Sequence, residues 1–286
     1  MPIDVEKAMA APIKESTFEY AEKDVILYAL GVGAGVPPTD RAQLTFCFEN
    51  GIKVLPTFGV VPSFSSLMKV VGHPGLQFNP MMLLHGEQYL EIKKHPIPKK
   101  GKLVNKPKIN AIYDKGKGAL LLLDCTTTTE AGDEVFFNTF TLFLRGEGGF
   151  GGDPGPKAGN FPPDRAPDKV VEMKTLPQQA LLYRLSGDSN PLHADPNFAK
   201  MGGFESPILH GLCSFGHAGR AVLAEYCGND PAKFKSIAVR FSSHVFPGET
   251  IVTEMWKEGD DTILLKSKTA ERGLDVITNA AVKLNV

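Results

Sequence analysis

The chain has little cysteine: four residues in 286, Cys47, Cys125, Cys213 and Cys227, with no Cys-x-x-Cys pair among them. That spacing excludes a zinc knuckle and a redox pair, and free thiols in a reducing compartment are the simplest expectation. Net charge is also nearly absent, at -1, so there is no electrostatic footprint for nucleic acid or for an anionic membrane surface. No long apolar run exists. The longest uncharged stretch, Val54 to Met68, is short for a membrane span, and Pro56 and Pro62 interrupt it. The opening residues Met1-Pro2-Ile3-Asp4-Val5-Glu6-Lys7 hold no basic region followed by an apolar one, so no secretory signal is expected. The acids there argue against a mitochondrial presequence. The last residues, Lys283-Leu284-Asn285-Val286, do not form a peroxisomal tripeptide, which leaves a longer parent chain or another route open.

Nucleotide loops and metal clusters are lacking too. Gly31-Val32-Gly33 follows an expected helix rather than a strand, and no βαβ unit comes after it. The glycine-rich run Gly148 to Pro156 is not closed by Gly-Lys-Ser/Thr. His210 and His217 are seven residues apart, ~10 Å along one helix, too far to share an ion, and both are read as structural. The expectation is no metal and no redox cofactor.

What is present fits a soluble globular chain, 42% apolar and 22% charged, long enough for one large domain or two modest ones. Residues 17–30 read as a helix that Thr17 can cap. Strand-forming runs follow at 89–92, 102–104, 108–113, 119–129 and 135–144, separated by polar, Gly-containing turns, which makes an antiparallel meander. Residues 146–167 are dense in Gly and Pro and read as a linker. Beyond it come a helix over 175–183, a second over 212–226, and strands at 236–245, 250–257, 262–269 and 276–284. This divides the chain into 1–145, the linker 146–167, and 168–286. The halves look related. Tyr28-Ala29-Leu30-Gly31-Val32-Gly33 aligns with Tyr183-Arg184-Leu185-Ser186-Gly187-Asp188, and Leu84-His85-Gly86 with Leu209-His210-Gly211. Gly33 then stands where the second half has Asp188, and Pro38 where it has His193.

The densest chemistry lies in Ser186-Gly187-Asp188-Ser189-Asn190-Pro191-Leu192-His193. Gly187 permits a sharp bend, and Pro191 forbids a regular helix and holds Asn190 extended. Asp188, Asn190 and His193 can therefore converge. An acid and an imidazole can move protons near neutral pH, while an amide can orient them. Turn-rich composition also suits a plain surface turn, although the apolar Ala180-Leu181-Leu182-Tyr183 and Leu192 argue that it is anchored in a core. Gly211, at the start of the 212–226 helix, offers an unpaired N–H at the positive end of a dipole. Its other role is to permit a tight turn.

The run Tyr-x-Leu-Ser-Gly-Asp-x-Asn-Pro-Leu-His, continuing through Ala194-Asp195-Pro196-Asn197-Phe198-Ala199, resembles the signature of the R-specific (type-2) enoyl-CoA hydratases and MaoC-like dehydratases. The rest of the chain resembles their two-repeat eukaryotic form. The resemblance implies an α+β double hot-dog fold, each repeat an antiparallel sheet around a central helix, with the second repeat catalytic. It implies hydration of a trans-2-enoyl-CoA to a (3R)-3-hydroxyacyl-CoA, or the reverse, in β-oxidation. Asp188, His193 and Asn190 would serve the acid–base step, and Gly211 would be the oxyanion-hole glycine. His85 with Gly86 would meet the acyl-CoA, Lys115 the CoA phosphates, and Arg240 with Phe241 would line the CoA site. By their residues alone these read as a buried turn, a solvated lysine and core. CoA enters as part of the substrate, so no cofactor is implied; a homodimer and a peroxisomal location are. The alternatives are a 3-hydroxyacyl dehydratase of a synthetic pathway and a non-catalytic acyl-CoA-binding protein. In the first half, Pro56, Gly59 and Pro62 should break the central helix and open room for an acyl tail near Val60 and Val61.

Overall fold

Ten strands pair into one continuous antiparallel sheet in a computed structural model that describes residues 3–286. The first half runs α1 (Val5–Ala10), β1 (Ser16–Tyr20), α2 (Glu22–Gly31), α3 (Arg41–Cys47), α4 (Val60–Leu67), β2 (Leu83–Ile92), β3 (Gly101–Asp114), β4 (Gly118–Thr129) and β5 (Glu134–Arg145). The second half runs β6 (Lys169–Lys174), α5 (Gln179–Tyr183), α6 (Pro196–Met201), α7 (Gly211–Cys227), β7 (Phe234–Phe241), β8 (Thr250–Glu258), β9 (Thr262–Thr269) and β10 (Asp275–Leu284). The sheet order is β1-β3-β4-β5-β2-β7-β10-β9-β8-β6. Read inward from either edge, each half places its first, third, fourth, fifth and second strands in turn. The repeat is therefore structural as well as sequential, and this is the double hot-dog arrangement. The two five-stranded sheets fuse where β2 meets β7, from Glu87 opposite Arg240 to Glu91 opposite Ser236.

The two central helices differ. α7 is 17 residues long and buried from Leu212 to Leu223 on every side, so the second half closes around it. Phe215 and Val222 are fully covered, and each such side chain contributes about 2 kcal/mol on burial. α4 has only 8 residues, with 3-10 turns at Pro56–Gly59 and Met68–Val70 before and after it. The interruption falls at Pro56–Gly59, as the sequence suggests, but Pro62 does not break the helix: it sits in the first turn of α4, where a missing N–H costs little. Sheet side chains satisfy buried carbonyls of this segment: Asn138 Nδ2 donates to Gly59 O at 3.0 Å and Asn105 Nδ2 to Pro62 O at 2.7 Å. Val60 and Val61 are packed in the core.

Several local readings change. Residues 17–30 are not one helix. Ser16–Tyr20 pairs with β3 as an edge strand, because Thr17, Phe18 and Tyr20 suit a pleated surface. The helix starts after Ala21, whose N–H donates to Asp24 Oδ2 at 2.8 Å. The expected 175–183 helix keeps only Gln179–Tyr183, since Thr175 instead donates its hydroxyl to Glu249 O at 2.8 Å. β6 carried no earlier signal. The alignment of His85-Gly86 with His210-Gly211 also fails. His85 lies inside β2, whereas Gly211 opens a helix, and the first half's central helix has already passed at residues 60–67.

Candidate active site

α5 carries the chain to Tyr183, which is 3% exposed and packs against His210 at 4.9 Å between ring centroids. A 3-10 turn, Arg184–Ser186, ends at Gly187 with φ +117°, a conformation that side chains resist. The chain then bends through Asp188, whose Oδ1 accepts from Asn190 N at 3.2 Å. Asn190 is extended before Pro191 and its side-chain oxygen accepts from Leu192 N at 3.0 Å. That bond caps the Pro191–His193 turn, so the carbonyl of the Asn190 amide is committed to shaping the loop.

His193 is 8% exposed, and its Nδ1 lies 2.8 Å from the carbonyl oxygen of Ile208. A carbonyl only accepts, so Nδ1 holds the proton and Nε2 keeps its lone pair. His210 is 1% exposed and donates from Nε2 to the Asp188 carbonyl at 3.1 Å. Its ring stacks on His193 at 3.7 Å with 26° between planes. One donor atom each from Asp188, His193 and His210 lies within 4.8 Å of the others. Among the described residues this is the arrangement that could hold an ion. Each ring has already committed one nitrogen to a backbone carbonyl, His193 Nδ1 to Ile208 and His210 Nε2 to Asp188, which leaves one nitrogen per ring.

Burial dominates the electrostatics. It raises the Asp188 carboxyl above its ordinary range, against the opposing pull of His193. It lowers His193, while the Asp188 charge and the Ile208 carbonyl hold it up. His210 is driven down to about 2, by burial first and by His193 second, and stays neutral. An uncharged His210 thus backs a pair that can exchange one proton.

α7 begins beside this turn. The first N–H groups of any helix lack intrahelical partners, and Gly211 is exposed there. A Cβ at Gly211 would meet the Phe241 ring at 3.3 Å, so glycine lets that ring lie against the helix start. Phe241 in turn touches the His85 ring, centroids 5.2 Å apart. Burial lowers His85 to about 4, so it too is neutral.

From Phe241 a cleft of about 410 Å³ runs across the sheet, lined by Gly86, Lys115, Arg240 and Phe241 together with part of the 146–167 segment. The structure thus gathers eight of the nine residues picked out by sequence into two adjoining places. Asp188, Asn190, His193 and Gly211 form the turn and helix start; Gly86, Lys115, Arg240 and Phe241 line the cleft. His85 sits behind Phe241, off the cleft wall. Sequence reasoning read His210 as structural without a partner; the structure makes it the floor under His193. It missed Glu87, whose Oε1 accepts from Arg240 Nε at 2.7 Å. Their position opposite one another on β2 and β7 was invisible without the sheet register.

Residues 18–146 match the family described as MFE-2 hydratase 2 N-terminal domain, and residues 158–280 the one described as MaoC like domain. The chain is 48% identical over 287 residues to "Probable enoyl-CoA hydratase 2" of Dictyostelium discoideum, covering 98% of this chain and 96% of that one. It is 47% identical over 273 residues to "Peroxisomal multifunctional enzyme type 2" of Mus musculus, covering 93% of this chain and 36% of that longer protein. Among solved structures, a MaoC-like dehydratase from Phytophthora capsici superposes with a TM-score of 0.87, with 37% identity over 99% of both chains. The turn from Asp188 to His193, the glycine at the head of α7 and these matches across both halves agree: the chain belongs to the MaoC-like hydratase and dehydratase family, in the two-repeat form that begins with an MFE-2 hydratase 2 N-terminal domain.

Proposed function

We propose that the chain adds water across the double bond of trans-2-enoyl-CoA to give (3R)-3-hydroxyacyl-CoA, and runs the reverse dehydration through the same groups. One observation carries the reading. A buried imidazole with a free Nε2 lone pair stands next to a carboxyl group, near an exposed helix-start N–H that lies against Phe241 on the wall of the cleft. Water held between Asp188 and His193 attacks the β-carbon of the enoyl thioester. One of its protons is drawn off by the pair as the new C–O bond forms, and a proton from the pair reaches the α-carbon. Negative charge builds on the thioester oxygen meanwhile. The Gly211 N–H meets it there, and such a donor contributes about 3 kcal/mol in the transition state. Asp188 and His193 lie close enough to titrate as a coupled pair, so base and acid roles are assigned to the pair rather than to either residue.

The first half, 1–145, serves the same reaction as a non-catalytic repeat that receives the acyl tail, supported by its broken central helix. The family relatives named peroxisomal support fatty-acid β-oxidation in the peroxisome as the setting. A homodimer completes the proposal, and light scattering of the purified chain checks it. No helix among the described residues is long and apolar enough to cross a membrane.

The test is turnover of crotonyl-CoA and a longer enoyl-CoA, with chiral analysis of the product. Asp188→Ala and His193→Ala should each lose about 100- to 10,000-fold, and the double variant little more, because both act on one water. Near wild-type turnover in either single variant, or a 3S product, would refute the assignment.

A further inference from the structure

Residues 146–167, read from sequence as a linker, are fastened along their length to the sheet they cross. At the start, the Asp114 carboxylate accepts from Gly149 N at 2.8 Å and Gly151 N at 2.7 Å, and from Gly116 N at 2.8 Å. Lys115 Nζ donates to the carbonyl of Pro154. In the middle, Asn279 Nδ2 donates to Gly159 O at 2.8 Å and Asn160 Nδ2 returns a bond to Asn279 O at 3.4 Å. Both asparagines have positive φ, 56° at Asn160 and 49° at Asn279. Asn279 sits where the register of β10 is broken toward both neighbours, β7 and β9. A bulge of that kind re-aims a side chain. At the far end Trp256 Nε1 donates to Arg165 O at 2.9 Å, and Arg165 pairs with Asp168 and Glu258.

A tether between two repeats needs none of these anchors. What they achieve is to hold Pro156 to Asn160 as one wall of the cleft that leads to Phe241 and the catalytic turn. Three cations line that cleft, Lys115, Lys157 and Arg240, against one acid, Glu87, which is already bound to Arg240. Lys157 has no ion-pair partner among the described residues and stands on the fastened segment. A positive cleft that meets Gly211 through Phe241 fits a ligand whose reactive end reaches Gly211 and whose other end carries phosphate.

We propose that the 146–167 strap is part of the substrate site, with Lys157 on its inner face binding the phosphates of the nucleotide end of a CoA thioester, while Asn160 and Asn279 clasp the wall in place. The proposal rests on the hydratase reading for its ligand. Its test does not depend on turnover. Free CoA is titrated calorimetrically into the wild-type chain, Lys157→Ala, Asn279→Ala and the control Lys23→Ala, an exposed lysine on α2 that changes net charge equally. Lys157→Ala should weaken CoA binding about fivefold, in the range of an exposed charge contact. Rising salt should narrow the gap to wild type. Lys23→Ala should bind as wild type does. Asn279→Ala should weaken CoA and speed proteolysis within 148–160. In turnover, Lys157→Ala should raise KM for crotonyl-CoA with kcat unchanged, and leave crotonyl-N-acetylcysteamine, which lacks the nucleotide, untouched. Unchanged CoA affinity in Lys157→Ala, an equal loss in Lys23→Ala, or a loosened strap with full affinity in Asn279→Ala would each overturn the proposal. If wild type binds CoA in this pattern yet hydrates neither thioester, the reaction assigned above fails and the strap stands.

Discussion

His210→Phe isolates the floor of the catalytic turn. A phenyl ring keeps the stack on His193, now 3.7 Å between centroids, and much of the volume. It deletes the N–H donated to the Asp188 carbonyl at 3.1 Å. A buried acceptor left unpaired costs about 1–3 kcal/mol. The same replacement removes a buried, unpartnered group, His210 Nδ1, which offsets part of that cost. Thermal stability should therefore change little. The turn, however, loses one of two bonds that fix Asp188, the other running from Asn190 N to its carboxylate. If about 1.4–2.7 kcal/mol of positioning is lost in the transition state, turnover falls about 10- to 100-fold. KM for crotonyl-CoA should hold, because the CoA cleft does not include His210. The assay is the initial rate of loss of enoyl-thioester absorbance, with a melting curve beside it. A wild-type kcat would refute the positioning role. So would a rise in KM alone, or a kcat loss matched by collapse of the melting transition.

The remaining predictions concern charge, chain length and metal. Burial lowers His193 below the usual imidazole value of about 6.5 and the Asp188 charge opposes that shift, so Asp188→Asn should move His193 lower still, read by NMR titration of its ring. A His193 that titrates higher in that variant would contradict the coupling. In the wild type the acid limb of kcat/KM should lie below that same reference, because the neutral imidazole with its free Nε2 survives to lower pH. Val61 is 7% exposed in the first half's core, and Val61→Phe should lower turnover of a long enoyl-CoA more than that of crotonyl-CoA; equal loss on both would end the acyl-tail role of residues 1–145. Dialysis against a chelator should leave hydration unchanged, and loss restored by zinc or magnesium would recast Asp188, His193 and His210 as ligands.

Legibility from sequence followed the range of the physics. Most inner strands were readable because alternation and polar turns are local signals, although the runs at 102–104 and 108–113 prove to be one strand, β3. The α7 helix was readable from its apolar spacing, and its Gly211 start fell one residue from expectation. Edge strands were harder. Ser16–Tyr20 is held by β3, eighty-odd residues away, so the helix-capping threonine outweighed the pleat pattern. Asp188, Asn190 and His193 were legible since Gly187 and Pro191 bracket them in sequence. His210 was not, because its role is a stack on a residue 17 positions earlier and a bond to a carbonyl. The anchoring of the 146–167 linker was not legible for a related reason. Its composition reports that it cannot form a helix, and says nothing about Asp114 or Asn279, which reach it from the sheet.

The empty half explains why one active site suffices. Gly33 occupies the place that Asp188 has in the second half. A Cβ there would lie 2.8 Å from His217 Nε2 and 3.2 Å from the Arg220 guanidinium, both reaching in from α7. Arg220 donates to Val32 O at 2.8 Å and to Gln43 Oε1 at 2.8 Å, and so closes the first-half turn with a buried cation. Burial pushes that guanidinium down to about 10, a measure of how far it has left water. An acid at position 33 would face steric conflict before any chemistry, and its backbone, at φ +78°, disfavours a side chain as well. The middle of the second half's helix thus seals the first half's turn, while its first residue faces the catalytic turn proposed above. The long buried α7 and the short α4 are what make the two repeats unequal.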